Sequence, residues 1–171
     1  MKNHTQKITF SALFAALICV ATMIIKIPTP VTNGYIHPGD AFVILAGIFL
    51  GPLYGALAAG IGSALADLFG GYFLYVPITF FVKAIIAAVV YYIYYIGARK
   101  ITKPLTKCIL CGIAATIIVA VGYLAFELII YGPAAVASVP ANIVQGIGGL
   151  VISSLLVPFF SKTFKFLEHD N

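Results

Sequence analysis

The stretch AFVILAGIFLGPLYGALAAGIGSALADLF, residues 41–69, decides the fold of this chain through its Gly51-Pro52 step. Proline removes a backbone donor and clashes with the preceding helical turn, so the step either kinks one long helix or reverses the chain. The apolar segments on its two sides, Ala41–Leu50 and Leu53–Phe69, therefore count as one membrane span or as two.

The composition makes lipid the main solvent of the whole chain. Hydrophobic residues make up 62% of the 171 residues and charged residues only 9%, and the mean hydropathy is +1.09. A spanning helix needs about 20 apolar residues, and it satisfies its backbone hydrogen bonds internally. We expect one all-α, polytopic membrane domain over residues 1–171, with Ile8–Ile25 retained as its first helix.

The distribution of basic residues favours six helices over five. Further apolar segments are Ile8–Ile25, Val76–Ile96, Leu105–Tyr131 and Val139–Leu167. Basic residues cluster before Ile8, between Arg99 and Lys107, and after Ser161, and cytoplasmic loops carry an excess of such residues. Six spans place all three groups inside, whereas five place the Arg99–Lys107 loop outside. The sequence predicts a bundle of six transmembrane helices with cytoplasmic N and C termini.

The second predicted helix is short. From Pro38 to Leu50 it rises about 20 Å against a hydrocarbon core of about 30 Å, so other helices must shield it. Pro38 suits its first turn, and Asp40 places a carboxylate at the positive end of the helix dipole, near the outer surface.

Nine side chains converge on the outer half of this six-helix bundle. Lipid penalises Lys and Asp by about 2.5–3.5 kcal/mol each, so polar residues inside a membrane usually face a partner or a cavity. The predicted substrate-binding residues are Tyr35, His37, Asp67, Tyr75, Lys83, Tyr123, Glu127, Asn142 and Gln145. A few polar groups among aromatic walls are typical of small-molecule sites. Two simpler interpretations stay open: Lys83 neutralises Asp67 or Glu127, and the tyrosines form an interfacial belt.

Other classes of function find little support. The basic residues flank apolar segments, where membrane orientation explains them, so we expect no nucleic-acid partner. Cys108 and Cys111 form one CxxC pair without further zinc ligands, and we expect no metal and no cofactor. The sequence lacks HExxH, a nucleophile elbow and a Gly-rich phosphate loop, so an enzyme is not expected. A self-sufficient secondary carrier or channel remains an alternative, although no inverted repeat supports it.

Several segments carry a resemblance to a known family. They are Ile27–Pro30, Gly34–Asp40, Gly51–Gly55, Ala59–Asp67 and Pro77–Lys83, together with the AxxxA motif at Ala12 and Ala16. Over nearly its whole length the chain resembles the substrate-binding S component of energy-coupling factor (ECF) vitamin transporters, which implies the bacterial plasma membrane as its location.

The resemblance also implies partners and a lid. The partners would be a transmembrane T component and two cytoplasmic ATPase subunits, which would hydrolyse the ATP. The spacing of Ala12 and Ala16 alone leaves open whether they pack internally or form an interface, and the resemblance implies that they dock against the T component. The loop from Ile27 to His37 would act as a lid over the substrate.

The resemblance is closest to the group assigned to riboflavin, pyridoxine-type vitamers or hydroxymethylpyrimidine. One Lys, one Glu and two amides without Trp suit a single polar heteroaromatic ring stacked on tyrosine better than a large conjugated ligand. We expect a pyridoxine-type vitamer or hydroxymethylpyrimidine, captured from the outside, with riboflavin as the alternative.

Overall fold

The computed structural model describes residues 4–28 and 35–163, and within these residues the fold is almost entirely helical. The helices are α1 (His4–Ile24), α2 (Gly39–Gly70), α3 (Val76–Tyr92), α4 (Pro104–Tyr131) and α5 (Val139–Thr163). A π-helical turn, Ile93–Gly97, extends α3, and a 3-10 helix, Gly132–Ser138, joins α4 to α5. The predicted all-α class is confirmed, and the predicted continuation of the last helix to Leu167 lies outside the described residues.

A short antiparallel pair of strands, which the sequence did not indicate, lies between α1 and α2. Strand β1 (Ile27–Pro28) pairs with β2 (Tyr35–Ile36), with Ile27 opposite Ile36. The pair belongs to the segment predicted to act as a lid. The centre of that segment, including Gly34, lies outside the described residues.

Helix α2 reverses direction at Gly51. This residue has φ 84° and ψ 179° inside an otherwise helical segment, a conformation that glycine adopts at little cost. A Cβ atom added to Gly55 would lie 2.6 Å from the backbone oxygen of Ala46, whereas nine residues of continuous helix span about 13 Å. The two halves of α2 therefore pack side by side.

The reversal brings both ends of α2 to one end of the bundle. Tyr35, just before α2 begins, donates a hydrogen bond of 2.7 Å to Asp67, near its end. The turn at Gly51 lies at the opposite end of the bundle. The hydroxyl of Tyr54, just after the turn, is 3.1 Å from Nδ1 of His4 at the start of α1, whereas the strands follow the end of α1. We call these the strand end and the Gly51 end of the bundle.

The first half of α2 is the centre of the core. The fully buried hydrophobic residues of this half are Ala41, Val43, Ile44, Leu45, Ala46, Ile48 and Phe49. Close approach of neighbouring backbones buries them: a Cβ atom on Gly47 would lie 2.4 Å from the backbone oxygen of Ala87 in α3. Small residues permit such approach between membrane helices. The short helix is shielded by its neighbours, as its length requires.

By length and composition, four helical stretches within the described residues can cross a membrane. They cover His4–Ile24, Gly39–Gly70, Val76–Gly97 and Pro104–Lys162. The second reverses at Gly51, and the last contains the 3-10 helix that begins at Gly132, where φ is 60°. The sequence predicts six spans; the structure contains four such stretches, two of which are interrupted.

Candidate ligand-binding cavity

A cavity lies at the strand end of the bundle. Its volume is about 410 Å³ only when open solvent is included, and the space that the centre of a water-sized sphere can occupy is about 30 Å³. Its lining residues are Tyr35, His37, Asp67, Tyr72, Tyr75, Thr79, Tyr123, Glu127, Asn142 and Gln145. Eight of the nine predicted substrate-binding residues are therefore neighbours around one cavity, and their role in binding stays a prediction.

Aromatic rings that contact one another form part of the cavity wall. The ring of Tyr35 lies 4.5 Å from that of Tyr72 and 5.3 Å from that of His37, measured between centroids. The Lys26 ammonium lies 4.8 Å from the Tyr35 ring centroid and 5.3 Å from that of Tyr72, where cation–π attraction stabilises it. These contacts hold the strand pair and the loop after α2 together beside the cavity.

Hydrogen bonding and burial determine the tautomer and the protonation state of His37. Its Nδ1 accepts a 3.1 Å hydrogen bond from the backbone N–H of Gly39. Burial lowers the pKa of His37 to about 4, because removal from water disfavours the charged ring. At neutral pH the imidazole is therefore uncharged, with its remaining hydrogen on Nε2, and it can act as a hydrogen-bond donor.

The wall formed by α4 and α5 holds a fully hydrogen-bonded carboxylate. Glu127 is buried, and its Oε1 accepts a 3.0 Å bond from the hydroxyl of Tyr75. Its Oε2 is hydrogen-bonded to the Ser138 hydroxyl. The Asn142 amide donates a longer bond, 3.4 Å, to the same Ser138 oxygen. Glu127 is thereby fixed in position, while the Asn142 amide is only half-buried.

A buried ion pair lies behind the cavity. Lys83 is fully buried and pairs with Oδ1 of Asp40, whose Oδ2 accepts a 3.0 Å hydrogen bond from Gln145. The sequence left open that Lys83 pairs with Asp67 or Glu127; in the structure its ion pair is with Asp40, which the reversal of α2 brings to it. Lys83 is also the one predicted substrate-binding residue that does not line the cavity.

Asp40 lies in the first turn of α2, as predicted from its place at the positive end of the helix dipole. Its side chain is buried, with only 3% exposed. A single uncompensated charge at such a site costs several kcal/mol, whereas a hydrogen-bonded pair offsets much of that cost. The ion pair therefore supports the junction of α2, α3 and α5.

Thr79 is a cavity residue that the sequence analysis missed. Its hydroxyl lies 3.0 Å from that of Tyr123. Thr79 precedes Lys83 by four positions, so the two share a helix face, and that spacing could have indicated it. No comparable signal links Asp40 to Lys83, because the pair joins different helices.

The AxxxA motif of α1 faces outward. Ala12 and Ala16 are both exposed, and the neighbouring side chains Leu13 and Val20 are exposed as well. Internal packing uses the other face, where a Cβ atom on Gly62 would lie 2.4 Å from the backbone oxygen of Ala15. The two alanines are available to a partner helix.

A family model described as "ECF-type riboflavin transporter, S component" matches residues 2–162. The chain belongs to this family of S components. The predicted family is thereby confirmed, and it is a family of membrane transport components rather than enzymes.

Relatives and solved structures agree with this assignment. This S component is 33% identical, over 136 residues, to an uncharacterized protein of Pyrococcus woesei, covering 79% of this chain and 88% of that protein. Its fold is similar to that of the S component of a bacterial ECF transporter, with a TM-score of 0.65, 23% identity, and 98% and 100% of the two chains covered. It is also similar to an S component for biotin from an ECF-type ABC transporter, with a TM-score of 0.68, 19% identity, and 99% and 100% covered.

The buried ion pair predicts a stability effect. Lys83→Met should destabilise the S component by about 3–5 kcal/mol, because it leaves the Asp40 carboxylate buried without its cation. The double variant Lys83→Met/Asp40→Asn should recover much of this loss. Thermal unfolding of the detergent-purified protein measures both, with Lys100→Met at an exposed position as the matched control. A double variant no more stable than Lys83→Met would show that the pairing does not stabilise the fold.

Proposed function

We propose that this S component captures a small vitamin from the outside of a bacterial plasma membrane and passes it to a T component driven by two cytoplasmic ATPase subunits. The gathering of polar and aromatic residues around one cavity carries this proposal. Membership of a transporter family supports it. Small-molecule sites are lined in this way, with a few placed polar groups among aromatic and apolar walls.

The proposed orientation has six spans, both termini in the cytoplasm and the cavity facing outward. The reversal at Gly51 supports the division of α2 into two spans, and the 3-10 helix after Gly132 supports the division of the last stretch. Lys7 lies 5.6 Å from the Tyr54 ring and Lys107 lies 5.1 Å from the Tyr94 ring, which puts two basic residues towards the Gly51 end. The positive-inside rule makes that end cytoplasmic.

The favoured substrate is a pyridoxine-type vitamer or hydroxymethylpyrimidine. The cavity offers tyrosine rings for stacking, with Tyr75 and Tyr123 at a centroid distance of 6.3 Å, and amides that can recognise ring nitrogens and hydroxyl groups. Riboflavin is the second candidate, because the description of the matching family model names it.

A binding prediction follows from the position of Asn142. Native mass spectrometry of the gently purified protein should show one retained small molecule of this vitamin class. Asn142→Leu should weaken its binding by roughly tenfold, because the ligand loses an amide partner in a partly buried site. Thr102→Leu, an exposed change outside the cavity, serves as the control. Undiminished affinity in Asn142→Leu would remove this residue from the site, and a protein that binds none of the candidate vitamins would contradict the proposed function.

The outward face of α1 is the proposed docking surface for the T component. Ala12→Leu combined with Ala16→Leu should abolish ATP-driven uptake by the assembled transporter but spare ligand binding, because bulky side chains hold two helices apart. Ala125→Leu, at an exposed alanine of α4, is the matched control. Loss of binding would instead indicate internal packing of the alanines, and uptake by this chain alone without ATP would favour a self-sufficient carrier.

A further inference from the structure

We propose that Gln145 presents a fixed hydrogen-bond acceptor to the ligand, and that the Asp40–Lys83 ion pair positions its amide from behind the cavity wall. The ligand that fits carries a hydroxyl, amino or ring N–H donor directed at this part of α5. This inference rests on the proposed function and assigns a specificity-determining residue of the same site.

The buried ion pair decides which end of the Gln145 amide turns towards it. Oδ1 of Asp40 is paired with the ammonium of Lys83, and Oδ2 accepts the 3.0 Å hydrogen bond from Nε2 of Gln145. A carboxylate held in an ion pair only accepts hydrogen bonds, so the NH2 group of the amide has to face it. A flipped amide would place Oε1 against Oδ2, two acceptors without a hydrogen between them, which is unfavourable in a buried site.

The carbonyl oxygen of the same amide is left for the cavity. Gln145 lines the cavity, whereas Asp40 lies behind the wall and does not. Because the nitrogen and the oxygen of an amide point in different directions, the contact of Nε2 with Asp40 turns Oε1 away from the ion pair. Within the described residues, the bond to Asp40 is the one hydrogen bond of this side chain. Oε1 is therefore an acceptor that a ligand can use.

Close packing of α5 on α2 keeps this arrangement rigid. Gly149 follows Gln145 by four positions and shares its helix face. A Cβ atom added to Gly149 would lie 2.8 Å from Cβ of Asp40, so the backbone of α5 directly approaches the start of α2. Gln145, Asp40 and Lys83 are all buried, which leaves their side chains little room to change partners.

The neighbouring amide of α5 is not constrained in this way. Asn142 donates its 3.4 Å bond to the hydroxyl of Ser138, and a hydroxyl can either accept or donate. Asn142 is also only half-buried, so its amide can turn to suit either kind of ligand group. The fixed requirement for a ligand donor therefore arises at Gln145.

Removal of ligand donors one at a time tests this proposal on the purified full-length chain. Isothermal titration measures the binding of pyridoxine, hydroxymethylpyrimidine and riboflavin. For the compound that binds, it also measures analogues in which one hydroxyl, amino or ring N–H donor is replaced by hydrogen or methyl. In the unmodified protein at least one replacement should weaken binding about tenfold or more, because it leaves Oε1 of Gln145 without a partner in a buried site.

Two variants assign this effect to Gln145 and to the ion pair. In Gln145→Met, which keeps the side-chain size but removes the carbonyl, the same replacement should change the affinity by less than about threefold. In Lys83→Met/Asp40→Asn the amide of Gln145 can turn, so the difference between the compound and its analogue should also fall to about threefold or less. Damage to the wall alone would lower both affinities and leave their ratio unchanged. Lys100→Met, at an exposed loop position, is the control and should change neither the affinities nor their ratio.

The outcomes separate this inference from the function beneath it. If a compound binds and every donor replacement has the same effect in Gln145→Met as in the unmodified protein, the acceptor role of Gln145 is overturned and vitamin capture stands. An undiminished difference in the double variant overturns positioning by the ion pair. If none of the three compounds binds, the proposed function fails and this inference fails with it. Should the double variant not purify as a folded protein, the ratios measured with Gln145→Met still decide whether Gln145 supplies the acceptor.

Discussion

The reversal of α2 at Gly51 is the constraint on which the cavity depends. In a continuous helix Asp40 and Asp67 would lie about 40 Å apart. Instead, Asp67 lines the cavity, and Asp40 accepts a hydrogen bond from Gln145, which lines it too. Gly51 has a positive φ, which glycine adopts at little cost, and Pro52 follows it directly. Together they reverse the chain, and the reversal brings both carboxylates to one end of the bundle.

The two aspartates then have different roles because their surroundings differ. Asp40 meets Lys83, and the pair is compensated and sealed between helices. Asp67 lines the cavity and accepts a hydrogen bond from Tyr35. Lys83 is the single buried lysine of the described residues, and its pairing with Asp40 supports the junction of α2, α3 and α5.

The sequence could predict which residues share a helix face, because that depends only on spacing along one helix. Tyr123 with Glu127, and Asn142 with Gln145, lie around the cavity as their spacing indicates. The Asp40–Lys83 pair could not be predicted, since residues 43 positions apart meet only through the packing of α2 on α3. The strand pair was missed as well, because two residues per strand produce no periodic pattern. The outward position of Ala12 and Ala16 needed the structure, since small residues serve internal packing equally well.

Accessibility of the loop between α3 and α4 is the most direct test of a cavity that faces outward. In a chain whose native cysteines are replaced by alanine, single cysteines at Thr102 and at Phe73, both exposed, are labelled with a membrane-impermeant maleimide in intact cells. We expect labelling of position 73 in intact cells and of position 102 only after permeabilisation, because the proposed orientation has the cavity facing outward and the basic loop facing the cytoplasm. Labelling of position 102 from the outside would contradict the proposed topology and, with it, capture of a vitamin from the medium.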